Sequence, residues 1–218
     1  MKRVVAYPAH LRHRLGFGVQ SPWAFYLVRF VLREKWPYYA FKELAAFRHK
    51  VPSNATSCSR KHGERLFRLA NWMKPRRVVV VGDDCPVMSA IYLGAYSSRV
   101  LVVCLCSHES AVGRNLLESK GVECRCGDIM TLLTTECHDK ILECLLISVE
   151  EGAWDIYDHA ADHVDDDSMF IVERLDTPRG KALWQNIKDD NRARATFNLG
   201  RSGLVFFNSK RSRMNYNL

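Results

Sequence analysis

A chain of 218 residues, 47% of them hydrophobic, has enough apolar mass for one large domain with an appendage. No apolar run approaches the about 20 residues of a membrane-spanning helix, and Val4 to Tyr7 is too short for a signal-peptide core, so the sequence reads as cytoplasmic with no membrane partner. The formal charge of +8 leaves an anionic partner open without specifying one. Eight cysteines without an export signal, several inside apolar runs (Cys104, Cys106, Cys144), read as reduced and mostly buried thiols.

From Ser21 to about Lys50 the pattern is helical. Ser21-Pro22 makes an N-cap and first-turn pair, and Phe25, Val28 and Leu32 recur at helical spacing among Arg29, Arg33 and Lys35. Pro37 interrupts this helix and Tyr38 to His49 resumes it. The turn-rich stretch VPSNATSCS follows, so residues 1–59 read as an N-terminal helical extension with a linker and residues 60–218 as the main domain. That domain opens on an amphipathic helix, HGERLFRLANWM, closed by Lys74-Pro75.

Strand and helix then alternate. Strands are expected near Arg77 to Val81, Val100 to Leu105, Glu123 to Cys126, Ile141 to Ser148 and Met169 to Glu173. Helices are expected near Val87 to Ala95, Glu109 to Ser119, Ile129 to Cys137, Gly152 to Val164 and Pro178 to Asp189. Unbroken apolar strands such as VVVV and LVVCL are what a parallel sheet covered on both faces requires. Arg194 to Leu199 and Leu204 to Asn208 are separated only by Gly200-Arg201-Ser202-Gly203, too short for a parallel crossover, so they form an antiparallel hairpin. The fold class is therefore α/β: a doubly wound, Rossmann-like sheet of seven strands with its last strand reversed.

This order resembles the class I S-adenosylmethionine (SAM) dependent methyltransferases, whose sheet has six parallel strands and a reversed seventh. The stretches LGFGVQSPWAFYLV, KWPYYAF, KHGERLFRLANWMKPRRVVVVG and SGLVFFNSK are similar, in order and spacing, to a bacterial branch of that superfamily with an N-terminal helical extension. The resemblance implies SAM as cofactor. It places the cofactor loop at Gly82, Asp83 and Asp84, where Val80 stands near the family's acid and Gly82 alone remains of the glycines. The acid that accepts from the ribose hydroxyls falls at Cys104 or a close neighbour. Asp128, after Gly127, takes the contact to the adenine amino group, and Ser148 stands where the family has an acid after the fourth strand, with Glu150 and Glu151 beyond.

A ribose diol offers two donors, and exchanging a carboxylate acceptor for a thiol costs about 1.5–3 kcal/mol, or about tenfold to a hundredfold in affinity. SAM binding is accordingly expected to be weak.

Each local signal also has a plainer explanation. Asp83 and Asp84 repel a pyrophosphate and Pro86 removes an amide, which disfavours a dinucleotide, whereas cationic SAM tolerates these acids. Asp84 capping a helix that starts at Pro86 accounts for the same residues without a ligand. The pairs Cys104-x-Cys106 and Cys124-x-Cys126 lie on strands, where alternate residues are about 7 Å apart rather than on the tight turns that zinc pairs favour, so buried thiols are expected in place of a metal. His159 and His163, four apart on a helix with Asp155 one turn earlier, are expected to face solvent, since Trp154, Tyr157, Ala161 and Val164 supply the opposite, core-facing side. An arginine after Glu173 works against a divalent cation at the end of the fifth strand, while Glu173 and Asp176 still crowd the carboxyl edge. The aromatics Trp23, Phe25, Tyr26, Phe30, Trp36, Tyr38, Tyr39 and Phe41, interleaved with Arg12, Arg14, Arg29, Arg33 and Lys35, suit either a helical cap on the main domain or a base-stacking surface, the cap being favoured.

Hydrolase and P-loop motifs are absent. The expected function is methyl transfer from SAM to an acceptor, small-molecule or macromolecular, that the sequence does not identify, with no residue distinguishable as the catalytic base. The alternative is a catalytically inactive module of the same fold that binds or scaffolds a partner, including nucleic acid.

Overall fold

The computed structural model describes residues 21–52, 58–108, 110–149 and 151–218. Helix α1 (Pro22–Tyr26) is opened by Ser21, whose Oγ accepts from the Ala24 amide at 3.4 Å. It widens without a break into a π-helical turn over Leu27–Val31, and α2 (Tyr39–Arg48) follows beyond Pro37. Helix α3 (Arg60–Met73) begins two residues before the expected His62, because Ser59 Oγ caps it by accepting from His62 N; Lys74, left-handed at φ 53°, ends it ahead of Pro75.

The alternation then runs β1 (Arg77–Gly82), α4 (Val87–Gly94), β2 (Leu101–Cys106), α5 (Ala111–Glu118), β3 (Glu123–Cys126), α6 (Ile129–Cys137), β4 (Cys144–Ser148), α7 (Ala153–Ala160), β5 (Met169–Val172) and α8 (Pro178–Asp189). Strands β6 (Ala195–Asn198) and β7 (Gly203–Phe206) pair as the antiparallel hairpin, and β7 lies between β5 and β6, antiparallel to both.

The sheet order is β3-β2-β1-β4-β5-β7-β6-β8. The doubly wound α/β class with a reversed seventh strand is as expected, but two details differ. The sheet has eight strands, and the reversed one is not the last: Met214–Asn217 form β8, parallel to β6. The stretch MNYN has no apolar alternation to announce a strand. Its buried apolar anchor is Tyr216, whose ring stacks on Phe197 with centroids 4.6 Å apart and planes at 17°.

Alternation along the strands sorts the core into two layers. Val78, Val80, Cys104, Leu146 and Ile171 face the side covered by α1 to α5, while Val79, Val81, Leu105, Ile147 and Val172 face α6, α7 and α8. The N-terminal helices belong to the first layer: Trp23 meets Phe206 edge-on at 4.8 Å, with the Arg211 guanidinium 3.8 Å from its ring, and Tyr38 and Phe41 pack on Phe67. Phe25, Tyr26, Phe30, Trp36 and Tyr39 remain exposed, so only part of the aromatic set is used for packing. Arg12 and Arg14 lie outside the described residues. Among the described residues no helix is long and apolar enough to cross a membrane.

Candidate active site

Parallel register sets Cys126, Cys106, Gly82 and Ser148 side by side in one row at the carboxyl edge. Open α/β sheets take their ligands outside this edge. The loop after β1 crosses the middle of the row and folds tightly on itself: a Cβ on Gly82 would lie 2.6 Å from the Asp84 carbonyl oxygen and 2.9 Å from Pro86 Cδ. Glycine is required here for the chain's own return.

The loop does not cap helix α4 as expected. The N-cap is Pro86 and no side chain accepts there; instead Val87 N donates to the Cys85 carbonyl at 2.8 Å. Cys85-Pro86 makes the turn and carries Asp84 away from the helix start into solvent. Asp83 is half-buried. Its carboxylate lies 3.6 Å from Arg174 Nη1, and its carbonyl accepts from the His108 amide at 3.1 Å. The loops after β1, β2 and β5 are thereby tied to one another.

On the β4 and β5 flank a buried carboxylate collects donors. Glu173 Oε1 lies 2.8 Å from His62 Nε2 and accepts from Ser89 Oγ at 3.2 Å, and Ser148 bonds it as well. Burial pushes the Glu173 carboxyl up, but the hydrogen bond and charge of His62, with Ser148 and Ser89, outweigh it and hold the group below its ordinary value. In the neutral form of the half-buried His62, Nε2–H given to Glu173 leaves the lone pair on Nδ1. Cys58 is close by, and burial pushes its thiol up to about 12, so it stays neutral.

His62 and Ser89 were not singled out from the sequence, standing 111 and 84 residues from Glu173. One signal was present. Gly63 follows His62 in an amphipathic helix, and a Cβ there would come within 2.3 Å of the Tyr92 ring, so α3 presses onto α4 at this turn and delivers His62 to the edge.

The other acids of this edge have partners of their own. Asp176 pairs with Arg201 at 2.9 Å and Glu151 with Arg179 at 2.7 Å, both in solvent, while Glu150 lies outside the described residues. Asp128 is the exposed N-cap of α6; its Oδ2 accepts from Thr131 N at 2.8 Å and from Thr131 Oγ1 at 2.6 Å, which lowers its pKa. Cys104 lies two residues inside β2 and is fully buried; the residue at the strand end is Cys106.

His159 and His163 do not face open solvent. Both are half-buried with ring centroids 5.3 Å apart, and their nitrogens lie within 4.8 Å of the buried Cys137 thiol. Helix α7 buries Ala153, Ile156, Tyr157 and Ala160, whereas Trp154 and Val164 are only partly covered. The helix is thus rolled toward α6, where Thr134 Oγ1 sits 3.4 Å from His159 Nε2.

For a SAM-type ligand the donor set is uneven. Asp83 and Asp84 suit a cationic group, and at Asp128 Oδ2 is engaged by Thr131. The end of β2 offers a buried thiol, Cys106, and no carboxylate, and the floor beside Gly82 is occupied by the loop itself. Two hollows of about 360 and 240 Å³ lie toward the amino ends of the strands, beside Arg192 and Arg194 and beside Val102 and Val122, away from this edge.

No family model matches the sequence, and no curated protein matches it. Solved structures match its fold. An O-methyltransferase from Bacillus cereus in complex with S-adenosylhomocysteine (SAH) has a TM-score of 0.60 at 16% identity, covering 81% of this chain and 93% of that one. The SAH-bound methyltransferase PaMTH1 from Podospora anserina has a TM-score of 0.62 at 14% identity over 95% of this chain and 99% of that one. The O-methyltransferase TomG from Streptomyces achromogenes, involved in tomaymycin synthesis and crystallised with SAM, has a TM-score of 0.62 at 14% identity over 85% and 95%. The chain has the fold of the class I SAM-dependent methyltransferases.

Proposed function

We propose that the chain binds SAM at the carboxyl edge beside Gly82 and methylates a hydroxyl-bearing acceptor that His62 deprotonates. The observation that carries this reading is the part-buried His62–Glu173 pair, two strands from Gly82 along the same edge, on a fold shared with proteins crystallised with SAM and SAH. Bound there, SAM supplies an electrophilic methyl carbon on a sulfonium.

The chain's own residues do the rest. Asp83 and Asp84 favour the positive end of the ligand, and Asp128 faces the adenine side. Glu173 fixes the His62 tautomer and stabilises the imidazolium that forms, while Nδ1 takes the acceptor's proton as its oxygen attacks. Alignment of oxygen and methyl carbon supplies the remaining rate. With no carboxylate at the end of β2, the ribose contact is weak, by about 1.5–3 kcal/mol.

Calorimetric titration with SAM and SAH up to about millimolar tests the binding step, since a Kd of 1 mM still corresponds to about −4.1 kcal/mol. A saturable heat, reduced in Asp128→Ala, is expected, followed by transfer of labelled methyl into phenols or alcohols. No heat at all defeats the reading. A second reading has one observation in its favour: the Asp83–His108 bond ties the cofactor loop across the edge. The chain would then be an inactive scaffold whose charge of +8 suits nucleic acid, with no response to SAH and an RNA affinity that falls steeply with salt.

A further inference from the structure

We infer that Cys85, Cys106, Cys124 and Cys126 form a structural zinc site, set into the α3–α5 face of the sheet under the loop that follows β1. Spacing along one strand argues against such a site, but the fold supplies a different geometry. Parallel register pairs Cys104 with Cys124 and Cys106 with Cys126, so two cysteines of each strand share one face, with neighbouring strands about 4.8 Å apart. The loop then brings in Cys85 from above. Its Sγ lies 3.2 Å from Cys106 Sγ and 3.7 Å from Cys124 Sγ, while Cys106 and Cys126 are 2.6 Å apart. All four sulfurs lie within 4.8 Å of one another. A tetrahedral tetrathiolate with zinc–sulfur bonds of about 2.3 Å has sulfur–sulfur edges of about 3.8 Å, the scale of this cluster.

Packing alone does not account for the arrangement. Thiols that merely fill a core have no reason to converge from three separate elements onto one point, with two of the separations, 3.2 and 2.6 Å, shorter than the about 3.5–4.0 Å at which unbonded carbon atoms rest. The surroundings also favour thiolates. Zinc with four thiolates leaves about two negative charges over. The Ser110 amide, at the N-terminus of α5, donates to Cys85, and Arg114 bonds Cys126. Gly113 makes room: a Cβ there would sit 3.2 Å from Cys85 Cβ, so α5 can lie close against the loop. Cys85, Cys106 and Cys124 are buried and Cys126 is half-buried, which seals the site yet leaves one side for metal entry. Four soft ligands in a closed tetrahedron suit zinc, and the ion would clamp the loop after β1 to β2 and β3.

The test is metal analysis of the full chain purified with zinc present, alongside two variants. The unmodified protein is expected to hold about one zinc here, as one tetrathiolate requires. The pair Cys85→Ser with Cys126→Ser should lose it, and the pair His159→Ala with His163→Ala, which disables the separate Cys137 group, should retain it. To guard against misfolding of the cysteine variant, cobalt(II) added to the zinc-stripped, unmodified chain should give the intense visible bands of tetrahedral thiolate coordination, and zinc should abolish them. Zinc content unchanged by the cysteine pair, zinc lost only with the histidine pair, a Cys106–Cys126 disulfide in the zinc-loaded protein, or an octahedral cobalt spectrum would each overturn the assignment.

Discussion

The two flanks of the carboxyl-edge row hold opposite chemistry on the same backbone frame. Toward β3 the row ends in sulfur, Cys106 and Cys126 with Cys85 and Cys124 beside them; toward β5 it ends in oxygen and nitrogen, Ser148 and Glu173 with Ser89 and His62. The β5 flank shows what a buried carboxylate requires, since Glu173 is tolerated only because three side chains bond it. The sulfur flank has no such need while its groups are neutral, because a thiol packs like a small apolar group. Catalytic competence is therefore expected on one flank and structural cohesion on the other.

Four experiments break or sharpen that division. His62→Ala should have the largest effect: methyl transfer falls by about 10²–10⁴-fold while the SAH titration is unchanged, measured as initial rates against calorimetry. An equal loss of SAH binding would mean that His62 is part of the cofactor site and not the base. Gly82→Ala, at the boundary between the flanks, forces a Cβ into the Asp84 carbonyl and Pro86 and should cost about 1–3 kcal/mol in urea unfolding.

The third experiment reads the acid limb. The folded pKa of Glu173 lies below its ordinary value of 4.5, so the stability it contributes is fully present above that pH and is lost as pH falls through the depressed folded value. In Glu173→Gln the drop in urea midpoint between neutral pH and pH values below about 4.5 should be shallower than in the unmodified chain. An identical acid limb would place the stabilisation elsewhere. Asp128→Ala should have the smallest effect on stability, a slight fall in melting temperature from the loss of the Thr131 contacts, read by thermal scanning.

Much of the sheet was legible because its signals are local. Val78 to Val81 and Leu101 to Leu105 announce buried parallel strands, and the short Gly200 to Gly203 link forces the hairpin. The edge chemistry was legible only in part. Gly82 and Ser148 both lie on the row, but the position across from Gly82 on β2 is Cys106, two residues beyond Cys104, because strand ends are weakly encoded. The cysteine convergence depends on the register of β2 against β3, and neither Cys-x-Cys pair discloses how it lines up with the other. His62 with Glu173 is a contact between the first turn of one helix and the end of a distant strand, fixed by helix packing that no local periodicity describes. Asp84 misled because a Pro after an acid imitates a capped helix start, and the intervening Cys85 displaces the acid by one turn residue too many.

Strand β8 carries a consequence for assembly. By pairing with β6 it converts Ala195–Asn198 from a border into an interior strand and leaves Met214–Asn217 outermost, a segment of four residues whose only buried side chain is Tyr216. A short, polar rim offers little template for a neighbouring chain to extend the ladder. Removing it would strip the Tyr216 ring from Phe197 and bare the amides of β6, turning a self-sealed margin into an adhesive one.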